Sequence, residues 1–112
     1  MGLTVDTAQH GPFTVVCVAG EIDIATVPDL RDALETALHQ NDPRVILDLT
    51  GVSFCDSSGL ALLVATRRRL PDGAPLRLVG AQPMVARVFQ LTGLTQVFPL
   101  FATVGDAVSA GV

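Results

Sequence analysis

The chain has 112 residues, 49% of them apolar and 16% charged, which suits one compact domain and excludes intrinsic disorder or two domains of ordinary size. Seven arginines face eleven acids for a net charge of −4, and lysine, tryptophan and tyrosine are absent. Without a basic stripe or stacking aromatics, such a chain is not built to bind nucleic acid.

In chain order, Leu3-Thr4-Val5 alternates as a short strand, and Gln9-His10-Gly11-Pro12 is turn chemistry. Phe13–Ala19, rich in Val and Thr, reads as a second strand hairpin-paired with the first. Thr26 opens a helix: Pro28 suits a first turn, and Thr26 with Asp29 resembles a capping box. Val27, Leu30, Ala33, Leu34, Ala37 and Leu38 share one face of it, while Asp29, Asp32, Glu35 and His39 take the other. Asn41-Asp42-Pro43 ends it. Val45–Leu49 is a strand covered on one face or both, and Gly51–Cys55 is a connection. A second helix runs from Leu60 to about Leu70, closed by Pro71-Asp72-Gly73. Leu76–Val79 is a strand. Pro83 starts a third helix with Val85, Val88, Phe89 and Leu91 mostly inward, and Gly93 stops it. Val97–Leu100 is a last strand, and Thr103–Ala110 a short helix capped by Thr103.

The order is β-β-α-β-α-β-α-β-α. Strand–helix alternation requires parallel strands with right-handed crossovers, and the opening hairpin adds one antiparallel pair. The expected fold is therefore α/β, a single domain over 1–112 with a mixed, mostly parallel sheet of about five strands and about four helices.

Several polar residues have ordinary explanations. Arg67-Arg68-Arg69 reads as a solvated last helical turn, where cations are favourable. His39 sits at a helix C-terminus for the same reason. Cys17 and Cys55 lie in apolar stretches and read as buried, reduced thiols, and two cysteines with two histidines at unrelated spacings make no zinc signature. No metal or cofactor is expected. The apolar run Leu60–Ala65 is far short of the ~20 residues of a membrane span, and no basic-then-apolar leader opens the chain. A cytoplasmic location without a membrane span follows as the expectation.

Asp56-Ser57-Ser58-Gly59 is different. It lies where a strand hands over to a helix, the end of an open α/β sheet at which ligands and partners dock. A helix N-terminus carries unsatisfied N–H groups and a partial positive charge, so Asp56 or Ser57 can serve simply as an N-cap. Yet three capping residues stand where one suffices. The helix beyond is apolar nearly all round, either deeply buried or presenting an apolar face to a partner. Enzyme chemistry is poorly supported. Cys55 replaces the first glycine of a Gly-x-Ser-x-Gly elbow around Ser57, neither His10 nor His39 is placed as a base, and no phosphate-binding glycine loop is present. Glu21 and Asp23, two apart on a strand, would share a face and offer acid–base chemistry, but no nucleophile, metal set or cofactor loop accompanies them.

Gly20-Glu21-Ile22-Asp23, the amphipathic helix after it, Val45–Leu49 and Val52-Ser53-Phe54-Cys55-Asp56-Ser57-Ser58-Gly59-Leu60 together resemble the STAS domain. More closely, they resemble its stand-alone bacterial members, the anti-sigma factor antagonists. A tail box around Thr92-Gly93-Leu94, from Val85 to Phe98, adds to the likeness, which spans about residues 3 to 110.

The resemblance implies a non-enzymatic binding module. Such proteins bind an anti-sigma factor that is also a serine kinase of the histidine-kinase-like ATPase fold, and so free a sigma factor. The kinase phosphorylates the antagonist to release it, and a metal-dependent serine phosphatase reverses the switch. The phosphoacceptor maps to Ser57, with Ser58 as second choice. Glu21, Asp23, Asp56, Ser57, Ser58, Gly59 and Leu60 map to the partner-binding surface. The resemblance also admits an alternative, a STAS subunit of a transport or sensory complex. A monomer or weak dimer is expected, with no contact to DNA.

Overall fold

The computed structural model describes residues 2–71 and 74–110. Five strands form one sheet in the sequential order β1 (Leu3–His10), β2 (Phe13–Ile22), β3 (Val45–Cys55), β4 (Arg77–Val79) and β5 (Leu100–Phe101). β1 and β2 pair antiparallel from Leu3↔Gly20 to His10↔Phe13, and every later neighbour pairs parallel. Four helices connect or follow them: α1 (Val27–Leu38), α2 (Ser57–Arg69), α3 (Pro83–Leu91) and α4 (Val104–Ser109).

Strand order that advances in one direction, with right-handed crossovers, places the connecting helices on one face of the sheet. The alternation of side chains shows the consequence. Val16, Val18, Leu47, Leu49 and Leu78 pack against Leu30 and Leu34 of α1, Leu63 of α2, and Val85 and Phe89 of α3. Their neighbours Val15, Ile46 and Val79 point to the opposite face, where Phe13 and Ala107 of α4 join them. Phe89 meets Phe98 edge-to-face, with ring centroids 5.9 Å apart.

The structure extends or moves several expected elements. The first strand continues to His10, leaving only Gly11-Pro12 as the turn. β3 does not stop at Leu49. Residues 51–55 keep pairing with 19–22 of β2 through two register irregularities, so the expected connection is strand. Gly51 permits this approach, because a Cβ there would lie 2.8 Å from the Ala19 Cβ. α2 starts at Ser57, three residues before the expected Leu60. Leu91 is 72% exposed rather than inward. The expected strand Val97–Leu100 does not form: a 3₁₀ turn at Leu94–Gln96 precedes it, and only Leu100–Phe101 is strand. Phe98 is drawn into the core, and Pro99 has no N–H to give to a ladder. Pro71 ends α2 as expected, while Asp72 and Gly73 lie outside the described residues. Gly93 terminates α3 in the left-handed region at φ +76°, and Thr103 Oγ1 accepts the Asp106 N–H to cap α4.

Among the described residues, no helix is long and apolar enough to cross a membrane.

Candidate functional site

The carboxyl ends of β2 and β3 lie side by side, with Ile22 paired to Cys55. The Asp56 N–H donates to the Ile22 carbonyl at 3.1 Å, fixing the point at which the chain leaves the sheet. Asp56 has extended backbone and is the N-cap of α2. Its Oδ1 accepts the Ser58 N–H at 2.9 Å and the Gly59 N–H at 3.3 Å, and it also accepts the Ser58 hydroxyl. These interactions hold the Asp56 carboxyl below the usual aspartate range: the Ser58 hydroxyl most strongly, then the amides of Gly59, Ser58 and Ile24, against an opposing effect of burial. Asp56 is thus an anion at neutral pH, seated at the positive end of a helix.

The two serines are placed differently. Ser58 is half-buried, and its hydroxyl is committed to Asp56. Ser57 is exposed in the first turn, and its hydroxyl makes no hydrogen bond among the described residues. Gly59 is buried beneath them. A Cβ there would stand 2.6 Å from Ile22 Cγ2 and 2.7 Å from Cys55 Sγ, so only glycine lets the first turn of α2 sit this close to the sheet. Cys55 is buried and reduced; burial pushes its thiol up to about 11, with the Asp56 charge adding to the effect.

On the β2 side, the strand ends at Ile22, so Glu21 and Asp23 do not form a pair on one strand face. Glu21 is exposed. Asp23 is half-buried and committed to the turn: its Oδ1 accepts the Ala25 and Thr26 N–H groups at 2.9 and 3.0 Å. The expected capping box of Thr26 and Asp29 does not form. Thr26 Oγ1 instead accepts the Asp23 N–H at 2.9 Å and donates to the Glu21 carbonyl at 2.8 Å. Asp23 takes the capping role because the chain must reverse sharply between strand and helix, which brings its carboxylate over the free amides. The turn from Glu21 to Thr26 is consequently tied at both ends, and Ile24 at its apex is 80% exposed.

The structure thus gathers Asp23, Asp56, Ser57, Ser58 and Gly59 at one end of the sheet, with Glu21 beside Phe54 at the strand ends. Leu60 follows in α2 and is only half-buried. α2 buries Gly59, Leu63 and Thr66 while Ala61 and Ala65 stay exposed. Of the two readings of this apolar helix, the one with a solvent-facing apolar side holds. His10 and His39 are exposed and remote in sequence from this end; His39 Nδ1 lies 2.7 Å from the Glu35 carbonyl at the C-terminus of α1. Ile24 is the feature that pattern reading missed, and its only signal was an isoleucine between polar and small residues just before a proline-bearing helix start.

The architecture recurs in known proteins. The family model for the STAS domain matches residues 4–107. The anti-sigma-F factor antagonist RsfB of Mycobacterium tuberculosis is 32% identical over 107 residues, covering 96% of this chain and 88% of RsfB. The crystal structure of an anti-sigma factor antagonist from Mycobacterium paratuberculosis superposes with a TM-score of 0.90 at 36% identity, covering 96% of this chain and 92% of that one. SpoIIAA, a Bacillus cell fate determinant, is similar in its unphosphorylated form, with a TM-score of 0.80, 27% identity and coverage of 96% and 95%. Its phosphorylated form gives a TM-score of 0.72 at 26% identity, with coverage of 96% and 98%. A match across nearly the whole sequence, together with an Asp-Ser-Ser-Gly turn capping the second helix of a β1-to-β5 sheet, has one reading: this chain belongs to the STAS domain family.

Proposed function

We propose that the chain is a cytoplasmic, non-enzymatic anti-sigma factor antagonist whose binding is switched by phosphorylation of Ser57. The observation that carries this reading is the contrast between the two serines. Ser57 offers an exposed, uncommitted hydroxyl, while Ser58 spends its hydroxyl on the Asp56 cap. The names of the relatives support the function, and SpoIIAA, a relative solved in both phosphorylated and unphosphorylated forms, supports the chemistry of the switch.

In this reading the partner is an anti-sigma factor that is also a serine kinase. It binds the chain when Ser57 is a free hydroxyl, releases its sigma factor, and transfers the γ-phosphoryl group of ATP to Ser57 Oγ, leaving ADP. A metal-dependent serine phosphatase hydrolyses the ester and restores the binding form. The phosphate adds about −1.5 to −2 charges beside the ionised Asp56. The helix N-terminus favours that charge by ~0.3–1 kcal/mol, so the fold tolerates it. A partner surface fitted to a neutral hydroxyl does not. A cost of ~3 kcal/mol in the interface weakens binding about a hundredfold. The switch is local electrostatics and needs no refolding.

The experiment is to incubate the protein with ATP and, one at a time, each anti-sigma factor kinase encoded in its source genome. Mass spectrometry should find one phosphate on the peptide containing Ser57, lost in Ser57→Ala and retained in Ser58→Ala. Unchanged incorporation in Ser57→Ala would refute the site.

A further inference from the structure

We infer that Ile24 is an apolar anchor of the partner interface, entering a socket bordered by cationic side chains on the kinase that modifies Ser57. The inference rests on the reading above and adds a specificity residue that neither the acidic nor the serine positions supply.

Isoleucine belongs to the residue types most often found fully buried, yet Ile24 is 80% exposed. The exposure is not that of a loose loop. Asp23 Oδ1 accepts the two amides that follow Ile24, and Thr26 Oγ1 ties the turn back to Glu21 and Asp23. The backbone on either side of the side chain is therefore fixed, and its hydrogen bonds leave the sec-butyl group pointing at solvent. A β-branched side chain has few rotamers to lose on binding, so such a group meets a partner already ordered. The turn and Ser57 leave adjacent strand ends: Ile22 pairs with Cys55, and the Asp56 N–H donates to the Ile22 carbonyl at 3.1 Å. A surface that covers Ser57 closely must also meet Ile24.

The chemistry of the occupant follows from the charged residues at this end of the sheet. Glu21, Asp23 and Asp56 are all carboxylates, and no basic residue lies between Gly20 and Leu30 or between Val52 and Thr66. A partner surface that met these carboxylates with carboxylates of its own would be repelled, so its socket must be apolar at the centre and carry arginine or lysine at the rim. Of the other exposed large apolar residues, Phe54 lies opposite Glu21 at this same end of the sheet, while Met84 and Leu91 lie on α3 away from the turn and serve as controls.

The test measures affinity for the kinase identified above, without ATP, by calorimetry. Ile24→Ser should weaken binding ten- to hundredfold with an unchanged thermal midpoint, since the side chain contributes no core packing. Ile24→Leu should restore binding to within about threefold, and Met84→Ser should bind as wild type. Binding by Ile24→Ser within threefold of wild type would overturn the inference, as would an equal loss in Met84→Ser. Ser57→Asp separates the two readings. If it abolishes binding while Ile24→Ser does not, only the anchor fails. If Ser57→Asp binds as wild type, or no kinase binds the unmodified chain, the switch itself fails and the anchor falls with it.

Discussion

A methyl group on Gly59 would stand 2.7 Å from the sulfur of Cys55, well inside van der Waals contact, and 2.6 Å from Ile22. Both neighbours are buried and cannot swing aside. Alanine would gain ~0.5–1 kcal/mol of helix propensity, but overpacking of this kind costs ~1–3 kcal/mol. Gly59→Ala should therefore destabilise the fold, read as a lower denaturant midpoint at unchanged slope. Cys55→Ala removes one of the two clashes, so the double variant should lose less than the sum of the singles. Strict additivity would show that the contact is not close.

The cap of α2 should give stability a dependence on acid. The folded-state pKa of Asp56 lies below its unfolded value because the Ser58 hydroxyl and three amides favour the carboxylate. A group with a depressed folded pKa contributes stability that is fully present above the unfolded value, ~3.9, and is lost as pH falls through the folded one. Glu35, lowered by the guanidinium of Arg69 on α2, has the same sign. Thermal midpoints should be flat above ~pH 5 and fall below ~pH 4, and Asp56→Ala should be less stable at neutral pH with a shallower acid decline. Ser58→Ala removes the largest cause of the lowered Asp56 pKa, so it should also make the acid decline shallower while leaving phosphorylation of Ser57 intact. An acid limb unchanged in Asp56→Ala would assign the decline to other groups.

How much of this was legible beforehand varies with the physics behind each element. α1 was readable because its apolar residues recur at helical spacing, and its buried residues Val27, Leu30, Leu34 and Ala37 belong to the face named from that pattern. The element order followed from the same reasoning. The length of β3 is not legible: Thr50, Gly51 and Ser53 break the apolar run, and what keeps this stretch in the strand is backbone pairing with β2, which side-chain pattern does not report. At the site, sequence left Asp56 and Ser57 as equal candidates for the cap. Only geometry separates them, since either side chain can reach the N2 and N3 amides. Spacing alone pairs Glu21 with Asp23, but β2 ends at Ile22, one residue short of what that pairing requires. Ile24 was invisible because exposure of a single apolar residue is a property of the folded surface.

The two thiols should differ from each other and from free cysteine. Burial raises the Cys17 thiol, with Asp48 and Asp6 beside it adding to the effect, and Cys55 is pushed up to about 11. The thiolate is the nucleophile, so both should react slowly with a thiol reagent at pH 8 in the native state. Cys17 is half-buried on the face of the sheet that carries α4 and should react first, and the buried Cys55 only on unfolding. Rapid modification of Cys55 in the native protein would mean that the first turn of α2 opens easily.

Arg77 gives a variant that separates fold from switch. It is buried in β4, its Nη1 donates to the Ala107 carbonyl at 2.6 Å, and its guanidinium lies 5.2 Å from the centre of the Phe13 ring. α4 has six residues, too few to be stable alone, so it depends on docking to the sheet. Arg77 is one of the groups that hold it there. Arg77→Leu keeps apolar bulk but loses the charged hydrogen bond, a loss of ~1.5–3 kcal/mol by the usual worth of such bonds. Amide exchange in α4 should quicken more than in α1 or α3, because the lost contact is local to that helix. Phosphorylation of Ser57 and affinity for the kinase should stay as in wild type, since α4 lies on the face of the sheet opposite α2. A fall in kinase affinity at constant stability would instead place α4 in the interface and require a partner that grips both faces of the sheet.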